Sequence, residues 1–505
     1  MIQIKSVLIS DEIDQECVDI LENNGVVVTV KTNMAKDVLL KEVEKHDALI
    51  VRSATRVTKE VIEAGKQLKL IGRAGTGVDN IDLPVANEHG VIVMNTPAGN
   101  SRSACELTCT MVMSLARHVP QAHASMKAGK WARKDFMGQE VFGKTLAIIG
   151  LGRIGREVAT RMQAFGMKTI GFDPLVSVEE AATCGIEWLP LDKIWPLADY
   201  ITLHVPLIPA TENLINKTTL QQCKRGVYVI NVARGGIIEE TDLLAALNDS
   251  HCAGAAFDVY IEEPPKDRSL IDHPKVICTP HLGASTNEAQ QRVAREIAEN
   301  IVALNAGVGL YGALNGAAVA AALDESKAQW VRAAQSLAQV VAALFKTTGQ
   351  KPTGVTVQLP KAACGLDKAL KAAVVVGLLK SHTHNGLNLI NAELNAKNAG
   401  IVVEAKMCDG SVLTVRAGEV EASGYPTPAG CVLTAFNRSK LPLPLLVTGT
   451  LALSDISNSV IPADMTPRPL LEIGASGGGR IAVFDKSIDQ QTMALLSSWT
   501  IVNAH

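Results

Sequence analysis

The stretch that most narrows what this chain can fold into is Gly150-Leu-Gly152-Arg-Ile-Gly155. It follows an apolar run, Leu146–Ile149, and opens a helical pattern that ends near Gly166. A second strand-like run, Lys168–Phe172, stops at Asp173, 18 residues beyond Gly155. A G-x-G-x-x-G string alone says little, but between a strand and a helix each glycine has a physical task. Gly150 permits the tight turn, Gly152 lets a pyrophosphate approach the backbone, and Gly155 lets helix and strand pack closely. The start of the helix adds N–H donors and the positive end of its dipole, with Arg153 placed to face phosphates. Asp173 can accept ribose hydroxyl hydrogen bonds, and its charge repels a 2′-phosphate, so the expected cofactor is NAD rather than NADP.

Around this motif the chain alternates short apolar runs with amphipathic stretches. Runs at Val7–Ile9, Val26–Val30, Ala48–Val51, Leu68–Ile71 and Val91–Met94 predict a first parallel α/β sheet. Six further runs, from Leu146–Ile149 to Val276–Cys278, predict a doubly wound dinucleotide domain. Between the two series, Ser103–Arg117 reads as a helix apolar on nearly every side, expected to be deep in a core or at a subunit interface. After a helix at Glu288–Leu304, the glycine-bearing segment Gly307–Gly316 reads as a boundary crossed by few contacts. The remainder, 316–505, changes texture and predicts an α+β region, with a helix at Leu366–Leu379 and strands at Gly400–Ala405 and Val412–Val415. Gly474-Ala-Ser-Gly-Gly-Gly-Arg480 lacks the Lys-Ser/Thr ending of a phosphate loop and reads as a hairpin turn.

Composition excludes several classes. With 47% apolar and 20% charged residues the chain is globular, and its 505 residues require more than one domain. A net charge of −3 gives no pull toward nucleic acid or anionic membrane. The ten cysteines form no C-x-x-C pair and no metal-ligand spacing, so no metal and a reducing, cytoplasmic setting are expected; Cys105 and Cys109 suit an apolar core. Lys5–Ser10 reads at once as a first strand, not as a leader, and Asn305–Leu323, uncharged but rich in glycine, is a poor membrane span.

Oxidising a 2-hydroxy acid requires a base for the hydroxyl proton, a carboxylate to steady the resulting imidazolium, and a cation for the substrate carboxylate. Three residues at strand ends supply these types: Arg234 in Asn231-Val-Ala-Arg-Gly-Gly236, Glu263 in Asp258-Val-Tyr-Ile-Glu-Glu-Pro-Pro265, and His281 in Pro280-His-Leu-Gly-Ala-Ser-Thr286. Glu262 adjoins Glu263 and is a weaker candidate partner for the histidine, and His204, at another strand end, reads as structural or cofactor-side. The order Arg, Glu 29 residues on, and His 18 further, downstream of the glycine motif, resembles the D-isomer-specific 2-hydroxyacid dehydrogenase family. So do Val51-Arg-Ser-Ala-Thr55, Gly72-Arg-Ala-Gly-Thr-Gly-Val-Asp-Asn80, Met94-Asn-Thr-Pro-Ala-Gly-Asn100 and Gly129-Lys-Trp-Ala-Arg-Lys134, over roughly residues 1–315.

That resemblance implies His281 as proton donor and acceptor, Glu263 as its partner and Arg234 as the substrate clamp. It implies cofactor contacts from Thr76, Arg153, Ile154, Asp173, Val205, Val232, Ala233, Asp258 and Gly283. It also implies a discontinuous substrate domain (1–99 and 286–315), a Rossmann-type cofactor domain (100–285), and a homodimer or homotetramer built on the helix after Ser103. A phosphorylated acid needs more positive charge than a plain one; Arg52 (with Ser53 beside it), Arg73 and the Arg133–Lys134 pair can supply it, while Asn100 can donate its amide and the backbone N–H groups of the Gly75–Gly77 loop can hold a carboxylate. These match family members that oxidise 3-phosphoglycerate, the first step of the phosphorylated route to L-serine. A glycerate or glyoxylate dehydrogenase, or an NAD-sensing corepressor of the same fold, are the competing readings. No serine-binding regulatory module is recognisable after about Arg468, so weak or absent inhibition by serine is expected.

Overall fold

The computed structural model describes residues 2–348, 352–380, 386–436, 439–447, 449–454, 471–474, 480–484 and 500–504. Packing divides the chain into two units, one of Thr96–Glu296 and one of Met1–Asn95 with Ile297–His505. The division falls at 95/96 and 296/297, against the 99/100 and 285/286 boundaries implied by the resemblance, and it does not separate 316–505 from the first unit. Residues just after 95 go with the second unit because Gly99 packs on Val293 and its carbonyl accepts from Arg292 Nε at 2.9 Å.

In the first unit, β1 (Ser6–Ile9), β2 (Val27–Val30), β3 (Ala48–Val51), β4 (Leu70–Arg73) and β5 (Ile92–Asn95) form a parallel sheet in the order β2-β1-β3-β4-β5. β3, at the centre of the sheet, is apolar at consecutive positions and wholly buried, and every residue of the edge strand β5 is buried too. The chain returns to this sheet through two asparagines. Asn305, last in the helix Asn287–Asn305, accepts from Ile4 N and donates to Ile4 O, both at 2.8 Å. Asn315 accepts from Val93 N and donates to Val91 O, both at 2.9 Å, while Asn95 N donates to Gly312 O at 2.9 Å. The Gly307–Gly316 segment is therefore not the sparsely connected boundary expected from its glycines. It is bonded along the edge of β5.

The second unit holds β6 (Thr145–Ile149), β7 (Lys168–Phe172), β8 (Glu187–Trp188), β9 (Tyr200–Leu203), β10 (Val227–Asn231), β11 (Cys252–Phe257) and β12 (Val276–Cys278). They form a parallel sheet ordered β12-β11-β10-β9-β6-β7-β8, in which the strand order, not the strand direction, reverses between β6 and β9. The apolar runs predict six strands; the seventh, β8, is two residues long and has no apolar run to announce it. The helix Ser101–Arg117 buries Ala104, Cys105, Thr108, Met111, Val112 and Leu115 against this sheet's helices. It is not apolar all round, since Arg102, Glu106, Thr110 and Arg117 form an exposed stripe at helical spacing.

The C-terminal part of the first unit is α+β, as its texture implies. β13 (Gly354–Pro360), β14 (Val402–Cys408), β15 (Leu413–Ala417), β16 (Val420–Thr427), β17 (Gly430–Phe436) and β18 (Ser439–Leu446) make a mixed sheet ordered β14-β13-β15-β16-β17-β18. The helices Glu325–Thr348 and Asp367–Leu379 join Leu337, Val341, Leu370 and Val374 to Val357, Val415 and Phe436 in one core. β19 (Gly449–Ser454), β20 (Leu471–Gly474), β21 (Arg480–Phe484) and β22 (Thr500–Ala504) form a separate antiparallel sheet. The strands flanking the glycine-rich Gly474–Arg480 stretch pair antiparallel, and the turn itself lies outside the described residues. Among the described residues no helix is long and apolar enough to cross a membrane, and no His/Cys/Asp/Glu group could hold a metal.

Gly377 marks the closest approach of the two C-terminal helices: a Cβ there would press on Gln335 O and come within 2.7 Å of the Ala338 Cβ. Gly377→Leu should therefore lower the stability of this region by about 1–3 kcal/mol or more. Thermal unfolding of the full chain checks it; an unchanged Tm would mean that the helices do not pack at this distance.

Candidate active site

The glycine loop takes the form its sequence requires. Gly150 adopts φ +98, where a side chain would be driven into the His204 carbonyl. Gly155 has no room for a Cβ, which would collide with Gly150 O and sit 3.1 Å from Ile148 Cγ2. Gly152, at the start of the helix Arg153–Ala164, has open space where its Cβ would project. Backbone N–H groups are thus presented without an obstructing side chain, the setting a pyrophosphate needs. Asp173, just past β7, accepts from Leu151 N through Oδ2 and from Leu175 N through Oδ1, both at 2.9 Å. It anchors the loop as well as standing at the expected ribose position. Val232 is buried and Val205, Ala233 and Ile154 are half-buried at or near these strand ends, with Ala233 N donating to Asn231 Oδ1 at 3.0 Å. Arg153 is exposed at the first helical position.

The catalytic candidates of this unit come from the ends of β10, β11 and β12. Arg234 follows β10; its carbonyl accepts from Asn231 Nδ2 at 2.8 Å and its Nη1 donates to Ala233 O at 2.6 Å. Glu263 divides its two oxygens. Oε1 accepts from Tyr260 N at 3.1 Å, and Oε2 lies 2.7 Å from His281 Nδ1. The Glu263 bond raises the His281 pKa from its ordinary value, against the opposing effect of burial. Burial pushes Glu263 up, but the bond to His281, the imidazolium charge and nearby Arg234 outweigh it and hold the carboxyl low. Glu262 instead pairs with Lys266 and is exposed, which leaves Glu263 as the partner of the imidazole.

His281 sits at φ +54, a left-handed conformation that a histidine adopts only when its surroundings impose it. Asp258 imposes it. Fully buried after β11, its carboxylate accepts from Thr279 Oγ1 (2.6 Å), Leu282 N (2.6 Å) and Gly283 N (2.8 Å), bracketing the histidine. Burial raises its pKa, and these three bonds oppose that rise. Tyr260 adds a brace that sequence reasoning missed, its hydroxyl donating to Thr279 O at 3.0 Å. His204, bonded to Thr202 Oγ1 at 3.0 Å, is driven by burial to a pKa of about 3 and stays neutral, as befits a structural role.

Most substrate candidates lie in the first unit. Arg52 N donates to Asp11 Oδ2 at 2.6 Å and Arg52 Nη1 to Glu12 O at 3.0 Å, while its Nε is buried with no hydrogen-bond partner. Ser53 beside it is exposed. Arg73 donates from Nε to Asn80 Oδ1 (3.3 Å) and from Nη1 to Ala74 O (2.8 Å), and its guanidinium packs under Gly75. Asn80 also donates to Arg52 O (2.7 Å) and Thr55 O (2.6 Å), so it links the Arg52 loop to the Gly75–Gly77 loop. Thr76 O accepts from Asn95 Nδ2 at 2.6 Å. Asp11, Asn80 and Asn95 do not stand out in the sequence, because each acts on backbone far away in the chain. Asn100 and Arg133 belong to the other unit: Asn100 precedes the helix Ser101–Arg117, and Arg133 is exposed at the start of a short 3-10 turn, Arg133–Phe136.

The family model described as D-isomer specific 2-hydroxyacid dehydrogenase, NAD binding domain, matches residues 109–283. Solved structures similar to the chain include the TT0316 protein from Thermus thermophilus, at 32% identity and TM-score 0.56, covering 61% of this chain and 99% of that one. Another is a D-lactate dehydrogenase from Aquifex aeolicus complexed with NAD and lactic acid, at 26% identity and TM-score 0.54, covering 60% and 96%. The chain belongs to the D-isomer-specific 2-hydroxyacid dehydrogenase family, and NAD is its cofactor. Within that family, its sequence is similar to proteins named D-3-phosphoglycerate dehydrogenase. The one from Sus scrofa is 52% identical over 404 residues, 79% of this chain and 75% of that protein; the one from Bacillus subtilis is 40% identical over 403 residues, 79% and 76%.

Because Asp173 both anchors Leu151 N and stands at the end of β7, Asp173→Ala should weaken NADH binding tens-fold, a loss of about 1.5–3 kcal/mol for a charged hydrogen bond. NADPH, which shares the anchored loop but gains no ribose hydrogen bond from the carboxylate, should lose less. Fluorescence titration with both nucleotides tests this, and an equal loss for the two would remove Asp173 from cofactor selection.

Proposed function

We propose that this chain oxidises D-3-phosphoglycerate to 3-phosphohydroxypyruvate with NAD, the step that opens the phosphorylated route to L-serine. The observation that carries the reading is the 2.7 Å His281–Glu263 contact at the strand ends, in a chain 52% identical to the D-3-phosphoglycerate dehydrogenase of Sus scrofa. The glycine loop and Asp173 would hold NAD, which would supply the hydride acceptor for C2. His281 removes the C2 hydroxyl proton through Nε2, since its Nδ1 is committed to Glu263. Glu263 stabilises the imidazolium so formed, and Arg234 binds the substrate carboxylate and polarises the developing carbonyl. Arg52, Ser53, Arg73 and Arg133 recognise the phosphate, while the Gly75–Gly77 backbone and Asn100 orient the carboxylate.

In this reading residues 1–99 with 286–315 form the substrate domain, 100–285 the cofactor domain, and 316–505 a region of assembly or regulation. The active form is a homodimer or homotetramer in the cytoplasm. Ten free cysteines fit a reducing compartment. NADH absorbance with 3-phosphoglycerate, coupled to product removal, tests the activity, and turnover of unphosphorylated glycerate with equal efficiency would overturn the substrate assignment.

His281→Ala should cut kcat by roughly 10²–10⁴-fold with NADH affinity retained. The pH dependence follows from the raised His281 pKa: oxidation needs the neutral imidazole, so the rate falls as pH drops through that value. Glu263→Gln removes the cause of the rise and should move this acidic limb to lower pH. A pH–rate profile that stays in place would exclude Glu263 as the partner.

Arg52→Ala should raise KM for 3-phosphoglycerate tens-fold, since a lost charge-assisted phosphate contact costs on the order of 2 kcal/mol. NADH affinity should not change. A KM within twofold of the parent would show that Arg52 does not touch the phosphate.

A further inference from the structure

A second cationic feature of the cofactor-binding unit is not used by the catalytic dyad. Arg102, Arg153, Arg156 and Arg292 line one open cavity of about 470 Å³, with Glu157 and Thr160. A volume of this size is in the range of small-molecule sites. Its charge is strongly one-sided. Glu157 pairs with Arg161 and contributes little free negative charge. Arg156 is held by Leu151 O at 2.7 Å and Glu180 at 2.6 Å, and Arg292 Nε by Gly99 O at 2.9 Å. These two guanidiniums are fixed in place by the fold. Arg102 and Arg153 have no hydrogen-bond or ion-pair partner among the described residues, although both sit in the first turn of a helix, where the dipole disfavours a cation. Four guanidiniums gathered around one cavity repel one another, and an anion relieves that repulsion. Guanidinium forks match phosphate oxygens, and a cavity larger than one phosphate suits a ligand that carries more than one.

We propose that this cavity is an effector site for a free small-molecule oligophosphate, occupied in addition to the bound dinucleotide. Arg153 lies at the glycine loop and borders both ligands, whereas Arg102 serves the effector alone. Inorganic pyrophosphate is the probe, titrated calorimetrically into the full chain saturated with NADH. Binding should be seen with NADH present, should weaken roughly tenfold or more in Arg102→Gln, and should vanish in Arg102→Glu. NADH affinity should be unchanged in both variants, which keeps the effector site apart from the cofactor reading. Three results would overturn the proposal: no pyrophosphate binding, binding abolished competitively by NADH, or binding indifferent to Arg102→Glu. The second would show that the cavity is only the outer part of the cofactor cleft.

Discussion

The candidate catalytic centre depends on one buried carboxylate. Asp258 ends β11 and gathers the Thr279 hydroxyl and the amides of Leu282 and Gly283, which fixes the turn carrying His281. Without such a tether, a histidine at positive φ would relax to an ordinary conformation, at a gain of order 1–3 kcal/mol. Its ring would then leave Glu263. Burial makes the same carboxylate costly unless satisfied, so the geometry is specified strongly. A charge hidden from water is tolerable here only while the loop stays where catalysis would need it.

What the sequence reveals and what it hides follow from the range of the interaction. The glycine motif, the βα alternation and the Arg234–Glu263–His281 spacing are local patterns, and the strands they predict match those observed to within a few residues. β8 is invisible because two residues carry no periodicity. Asp11, Asn80, Asn95, Asn305 and Asn315 are invisible for another reason. Each is an ordinary polar residue whose work is to satisfy backbone groups distant in sequence, and no composition or spacing signals that. The exposed stripe Arg102, Glu106, Thr110 and Arg117 escapes notice because the apolar majority of its helix obscures the polar positions at helical spacing.

The two sets of candidate residues also differ in how they hold charge. Around His281 each cation or anion is answered by an opposite charge or by backbone, and the shifts in His281 and Glu263 express that pairing. Around Arg52, burial lowers the guanidinium's pKa while Asp11 and Glu12 pull it back up, and one nitrogen is left without a partner. A cation held under partial desolvation is primed for an anionic ligand, because the ligand supplies what the protein withholds. The dyad is complete in the protein alone, whereas Arg52 keeps a buried nitrogen unsatisfied.

The asparagine stitches along β5 bear on the order in which the molecule can be assembled. Val93 N and Asn95 N lie on the sheet's outer edge and find their acceptors only in Asn315 and Gly312. On the ribosome, the first five strands emerge long before that closing strip, and the whole of Thr96–Glu296 is made in between. The first sheet must therefore wait with an open, apolar edge while its neighbour in sequence folds to completion, and open edges recruit other strands. A chain whose first sheet is finished by so late a strip has its period of greatest aggregation risk built into its own reading order, closing when residues 312–315 leave the exit tunnel.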